Sequence, residues 1–267
     1  MTHAATQEEI AAATAYEDLH VPAIFRQWAP RVLEAAQLQT GQRVLDVACG
    51  TGVLAREAAV LLGDEGSVTG LDASPGMLAV ASKLAPAVNW KQGLAESPPF
   101  DDDSFDAVVS QFGLMFFMDR PKALREMLRV LVPGGSIAVA VWESLENSEA
   151  YPIEVALLER IAGTPAADAL RAPFVLGDKA ELTQLFADAG VGSVEIATHH
   201  GTAHFPSIRI MVEADLRGWL PVMGVMLAED QIQHILEEAE HALSDFVTAE
   251  GTVKFDSPAH IIAGGNP

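Results

Sequence analysis

Asp46, Gly50, Gly52 and Asp72 are the residues whose types and spacing could do chemistry together. In the run Arg43-Val-Leu-Asp-Val-Ala-Cys-Gly-Thr-Gly-Val-Leu-Ala55 a carboxylate lies four residues before the first of two glycines, and a second carboxylate, Asp72, follows Gly52 by 20 positions. Glycines let the backbone turn sharply and let a ligand lie directly on the peptide plane. A helix starting at Val53 would aim its unpaired N–H groups at the same turn. Gly50, Gly52 and Ala55 also satisfy the G-x-G-x-x-G/A dinucleotide pattern, with Asp72 where a ribose-binding acid belongs. Asp46 argues against that ligand. It would bring negative charge close to a pyrophosphate, whereas it could hold an ammonium group directly or through water. The acid favours a cationic, phosphate-free ligand.

The elements that must position these residues follow from hydrophobic periodicity. Strands are expected near 43–48, 67–72, 88–92, 105–110 and 135–141, with helices after Gly52, over 75–85 and over 120–131. Strand–helix alternation at this spacing implies right-handed crossovers and a parallel sheet with ligands at the carboxyl ends of its strands. Residues 6–38 read as two helices broken near Val21-Pro22, with Phe25, Trp28 and Val32 on one face of the second. Beyond Trp142 the alternation stops until a helix at 178–189. An extended segment follows at 194–205, then helices at 208–220 and 229–247 and a last strand at 253–263.

Composition bounds the function. The chain has 267 residues, 49% of them hydrophobic, enough for one large domain or a domain with a cap. Lys and Arg number 16 against 37 Asp and Glu, a net charge of -21, which disfavours nucleic acid and docking to an anionic membrane. One cysteine excludes an intrachain disulfide, and the first 20 residues lack the basic and apolar regions of a signal peptide, so a reducing cytoplasm is the expected compartment. The longest apolar stretch, Trp219 to Ala228, is broken by Pro221 and Gly224 and falls far short of the ~20 residues that span a bilayer. A small-molecule partner is expected, without nucleic acid or stable membrane insertion, and a homodimer is compatible with the sequence.

Four ordered motifs carry a resemblance. Val44-Leu-Asp-Val-Ala-Cys-Gly-Thr-Gly52 resembles motif I of the class I S-adenosylmethionine (SAM) dependent methyltransferases, in the subgroup of the ubiquinone and menaquinone C-methyltransferases, with Ala48 at the family's first glycine. Gly70-Leu-Asp-Ala-Ser-Pro-Gly-Met-Leu78 is similar to the end of the family's second strand. Gly93-Leu-Ala-Glu-Ser-Pro-Pro-Phe100 with Asp103-Ser-Phe-Asp106 resembles the turn after the third, and Leu128 to Val141 the turn into the fifth. The resemblance implies SAM as cofactor, bound by Asp46, Ala48, Gly50, Gly52, Asp72, Ala73, Met77, Leu94, Ala95, Glu96, Ser110 and Gln111. Within that set Asp72 takes the ribose hydroxyls and Met77 packs on adenine. Leu94 stands where the family has the Asp that binds the adenine amino group, which leaves that contact to Glu96 or to the backbone from Leu94 to Glu96. Tyr16, Trp28, Phe112 and Met115 are candidates to line the substrate pocket, and His20 is the candidate base. Methyl transfer needs alignment and exclusion of water more than acid–base help.

The implied fold is a Rossmann-like α/β sheet of seven strands in the order 3-2-1-4-5-7-6, with strand 7 antiparallel. It carries an N-terminal helical lid (1–40), a core (41–205 and 251–267) and a helical cap (206–250) inserted between strands 6 and 7. The function implied is transfer of a methyl group to O, N or C of a small, partly apolar acceptor. The alternatives are an NAD(P)-dependent oxidoreductase and a SAM-binding protein without transferase activity. His199, His200 and His204 lack a Cys or Asp to complete a ligand set, so no metal is expected.

Overall fold

The computed structural model describes residues 4–267, so the first three residues of the expected lid lie outside the described residues. Among the described residues nine strands are present: β1 Arg43–Val47, β2 Ser67–Asp72, β3 Asn89–Gln92, β4 Phe105–Gln111, β5 Leu131–Trp142, β6 Gly192–His199, β7 Thr202–Phe205, β8 Val253–Asp256 and β9 Ala259–Gly265. Seven form one sheet in the order β3-β2-β1-β4-β5-β9-β6 with β9 antiparallel, the order expected from the sequence. β7 and β8 form a separate antiparallel ladder in which Ala203 faces Phe255. Each of the two last extended segments expected from sequence is therefore split. Gly201 and Ser257-Pro258 break the chain between a strand of the large sheet and a strand of the small ladder.

β1 is central, parallel to β2 on one side and β4 on the other, and all its residues but Arg43 are buried. That double coverage is why Val44, Leu45 and Val47 read as a continuous apolar run. The helices of the large sheet are α1 Gln7–His20, α2 Ala29–Ala35, α3 Val53–Leu62, α4 Pro75–Leu84 and α5 Arg120–Arg129. Further on come α6 Tyr151–Ala162, α7 Thr164–Arg171, α8 Lys179–Ala189, α9 Ile208–Ala214, α10 Leu220–Val222 and α11 Glu229–Ala242. α6 and α7 fall where no helix is expected from the sequence. Pro152 and Pro165 interrupt the pattern there, but both sit in a first turn, where a missing N–H costs nothing.

The expected break at Val21-Pro22 is absent. α1 runs into a π-helical turn, Val21–Phe25, then a 3-10 turn, Arg26–Trp28, and on into α2. The widened turn absorbs proline's missing donor: Val21 N–H bonds Tyr16 O and Arg26 N–H bonds Val21 O, each five residues back.

The chain divides into two compact units. Of the described residues the first comprises 4–141, 178–199 and 260–267; the second comprises 142–177 and 200–259. The first has its core on the large sheet. The second packs α6, α7, α9 and α11 with an aromatic cluster in which Tyr151 meets Phe174 and Phe255. Among the described residues no helix is long and apolar enough to cross a membrane.

Candidate cofactor site

The candidate site lies in the first unit, at the carboxyl ends of β2, β1 and β4. Leaving β1, Ala48 takes a left-handed φ of 58° and Gly50 one of 55°. The Gly50 N–H donates to Asp72 Oδ2 at 2.8 Å, and Asp72 Oδ1 accepts the Ser74 N–H at 2.8 Å. One carboxylate thus ties the turn after β1 to the turn after β2. A Cβ added at Gly50 would meet nothing within 4 Å, so the turn borders open space. At Gly52 a Cβ would come within 2.3 Å of the Trp90 ring. Its φ of 85° and this indole require the second glycine, so the sequence argument from ligand approach applies to Gly50 alone. Gly52 is also the N-cap of α3 and has no side chain to cap it.

Around this opening several buried polar atoms have no hydrogen-bond partner: both carboxylate oxygens of Asp46, Thr51 Oγ1, Ser110 Oγ and Gln111 Oε1. They are neighbours by construction, because Asp46 pairs with Val109 across β1 and β4, one residue short of Ser110. Buried polar groups are almost always satisfied, so a cluster of orphans beside an open turn marks a place that a polar ligand completes. Burial pushes the Asp46 carboxyl well above the usual carboxylate range; the Ala55 amide pulls it down without meeting hydrogen-bond geometry, and the Asp72 charge raises it further. Asp72 is raised by burial too, against the pull of its backbone N–H donors at Ser74, Gly50 and Ala73. Two acids with raised affinity for positive charge face the same opening.

The N-terminal segment closes on this site. A Cβ at Gly76 would meet the Glu9 carbonyl at 2.6 Å, so α1 rests directly on the first turn of α4. The Arg56 guanidinium joins Glu17 at 2.7 Å and donates to the Thr51 carbonyl at 3.0 Å. Tyr16 stacks on His20 at 5.7 Å and meets Phe25 at 5.4 Å. Burial, then the charges of Asp72, Glu17 and Asp46, push its phenol upward. Burial lowers His20 to about 4, so it is neutral at pH 7 and a weak proton acceptor.

The other residues singled out from sequence divide. Met77 is half-buried in the first turn of α4, its N–H on the Ser74 cap, and Ala73 is exposed with its carbonyl on Gln92. Leu94 is exposed and Ala95 buried. The Glu96 carboxylate accepts the N–H groups of Met118 and Asp119. Trp28 is fully buried, under the Arg31 guanidinium and edge-on to Phe112, which also meets Phe25. Met115 is buried in the 3-10 turn after β4. Gln111 donates to the Phe25 carbonyl at 3.2 Å, so it holds the π-helical turn as well as facing the opening. Thr51, Glu17, Arg56 and Trp90 were not evident from sequence; Thr51 alone had a signal, as the residue between the two glycines.

This sheet order and glycine turn with acids on neighbouring strands define a nucleoside-binding α/β protein. Residues 45–139 match a family described as methyltransferase domain. The chain is 46% identical over 116 residues to a demethylmenaquinone methyltransferase of Renibacterium salmoninarum, covering 43% of this chain and 47% of that protein. It is 34% identical over 176 residues to one of Paenarthrobacter aurescens, covering 62% of this chain and 68% of the relative. The chain belongs to the class I SAM-dependent methyltransferase family, in the subgroup of these quinone C-methyltransferases. It spans about half the length of several relatives it matches. A phosphoethanolamine N-methyltransferase of Haemonchus contortus shares the fold with a TM-score of 0.62 at 19% identity, over 98% of this chain and 58% of that one. A methyltransferase-like protein of Bacillus halodurans shares it at 0.60 and 20%, over 90% and 98%.

Proposed function

We propose that this protein is a SAM-dependent methyltransferase acting on O, N or C of a small, partly apolar acceptor. The observation that carries the reading is the set of orphaned acceptors, Asp46 above all, beside an open glycine turn. An ammonium group supplies the donors that Asp46 lacks, and ribose hydroxyls supply donors to the free lone pairs of Asp72. SAM, when bound, brings a methyl group already activated by its sulfonium. The chain's own part is to hold the amino-acid end at Asp46, to hold the ribose at Asp72, to pack Met77 against the base, and to keep water out with Tyr16, His20 and Phe25. A neutral His20 of low basicity suits an acceptor that is acidic or already nucleophilic. The names of the relatives make a quinone-type ring the first acceptor to test.

In this reading residues 1–40 cover the cofactor site and the helices at 206–250 select the acceptor; the protein works in the cytoplasm, without nucleic acid, and a homodimer is compatible with it. An NAD(P) oxidoreductase is disfavoured because a pyrophosphate adds acceptors and charge where acceptors already lack donors. S-adenosylhomocysteine at 100 times its dissociation constant should raise stability by about 2.7 kcal/mol, seen as a higher melting temperature, while NAD and NADP leave it unchanged. Stabilisation by NAD alone would overturn the proposal. Labelled SAM with a metabolite extract then separates a transferase, which yields labelled product, from a protein that only binds SAM.

A further inference from the structure

Two side chains fasten the N-terminal segment to the strand ends that carry the candidate site. On one side the Arg56 guanidinium, near the start of α3, reaches Glu17 of α1 with Nη2 at 2.7 Å and the Thr51 carbonyl with Nη1 at 3.0 Å. On the other, Gln111 at the end of β4 donates to the Phe25 carbonyl at 3.2 Å. The two fastenings differ in strength. Gln111 makes one neutral hydrogen bond, whereas the Arg56 bonds are charge-assisted and set two acceptors around one planar fork. Thr51 stands between Gly50 and Gly52, so the same fork that grips α1 also fixes how the peptides of the glycine turn face.

The closed arrangement leaves Glu17 incompletely answered. Its side chain is 13% exposed and that of Arg56 22%, so the pair is largely out of water, yet Glu17 Oε2 is buried without a hydrogen-bond partner. Withdrawing two charges from water and leaving one carboxylate oxygen unanswered costs free energy that a single ion pair only partly offsets. Such a pair is poorly suited to hold the segment down by itself. It is well suited to hold it down over an occupant that adds contacts of its own, because a ligand shifts the protein toward whichever state it binds better. We infer that Glu17 is a positioning residue for the cofactor: through Arg56 it latches residues 7–28 over the bound molecule and orients the peptide between the two glycines, so that the cofactor leaves only when this pair opens. The inference rests on the reading of the site as one for SAM with residues 1–40 as its cover.

Release of radiolabelled S-adenosylhomocysteine from the full chain, chased with excess unlabelled ligand, tests it alongside calorimetry. Glu17→Gln should speed release about tenfold and raise the dissociation constant by a similar factor with association little changed, an effect between those of exposed and fully buried pairs. Arg56→Lys, which keeps the charge but not the fork, should do the same, and the double variant should release no faster than the more affected single one. Arg43→Gln, which breaks the Arg43–Asp106 pair at the other end of β1, should leave release unchanged. In hydrogen exchange, S-adenosylhomocysteine should protect residues 7–28 in the parent protein and much less in Glu17→Gln. A merely structural pair would instead lower the melting temperature of the free Glu17→Gln protein and leave release and protection as in the parent, which would overturn the inference. Additive effects in the double variant, or exchange at 7–28 indifferent to ligand in the parent, would overturn it too. Where Glu17→Gln folds poorly, Arg56→Lys carries the same comparison. Failure of S-adenosylhomocysteine to bind the parent protein would instead overturn the cofactor reading.

Discussion

Asp46 in the first unit and Glu154 in the second are both acids shut away from water, and in both burial is the largest cause of a raised pKa. Their surroundings differ. Glu154, on α6, has a second acid beside it, Asp215, whose charge raises it further; Asp215 opens the π-helical turn after α9 and is itself held up by burial to about 7. Neither Glu154 oxygen meets an N–H or O–H donor in the structure, but its companion is an acid near enough to engage it when one of the two is protonated. Asp46 has no such companion. It borders an opening with other unanswered polar atoms, and the backbone beside it is bent into costly conformations. Ala48 and Phe112, at the ends of β1 and β4, both have φ above 50°, and all five non-glycine residues with positive φ among the described residues belong to the first unit. A buried acid alone does not mark a binding site. Unsatisfied neighbours, open space and strained backbone at one place do.

Three experiments press on that contrast. The largest effect is expected at Asp46→Asn, which should weaken S-adenosylhomocysteine by roughly 2–4 kcal/mol in calorimetry, while the stability of the free protein holds or rises because a buried acid with no hydrogen-bond partner is gone. A mutant that binds normally but melts early would make Asp46 a structural acid of the Glu154 kind.

The second concerns pH. Asp215 keeps a proton up to about pH 7 when folded, far above its ordinary value, and burial raises Glu154 well above its own. The folded chain therefore holds protons that the unfolded chain has released. The stability this gives is complete below about pH 4 and is lost as pH rises through 7. Tyr151 is the other titratable group that feels both acids, and its burial keeps the phenol neutral throughout. On raising pH from 5 to 8 the melting temperature should fall, by an amount on the order of 2–3 kcal/mol of stability, and Glu154→Gln should remove much of that slope. Because Asp46 and Asp72 are also raised, the informative quantity is the difference between the two pH profiles.

The smallest effect lies at Ala48. A left-handed alanine costs about 1 kcal/mol, so Ala48→Gly should raise stability by roughly 0.5–1 kcal/mol in thermal melts, less what the freer unfolded chain takes back. No gain would mean that the turn stores no strain at Ala48, and that Asp46 alone distinguishes the two units.

The seven-stranded sheet was legible because its strands are short apolar runs closed by glycine, proline or acid at regular spacing, and because a carboxylate in β1 is conspicuous. The second unit was less legible. Residues 194–205 read as one strand because alternation persists through His199 and His200, and only tertiary pairing assigns the two halves to different sheets. α6 was hidden by Pro152, and the Glu154–Asp215 pair by the 60 residues between its members. In the site, Asp46, Gly50 and Asp72 could be read from local spacing. The engagement of Glu96 with Met118 could not, since nothing in a sequence shows which backbone N–H a carboxylate will choose.

Trp90 adds a constraint of a historical kind. Its indole lies so close to Gly70 that a Cβ there would stand 2.4 Å from the ring, although the backbone at Gly70 is ordinary strand that any residue adopts. The glycine of β2 is thus hostage to an aromatic ring two strands from the central turn. A lineage that keeps the indole must keep Gly70, and one that replaces Trp90 with a smaller side chain still meets Cys49 Sγ, 2.9 Å from that Cβ, so Gly70 is held from two sides and can change only after both neighbours give way.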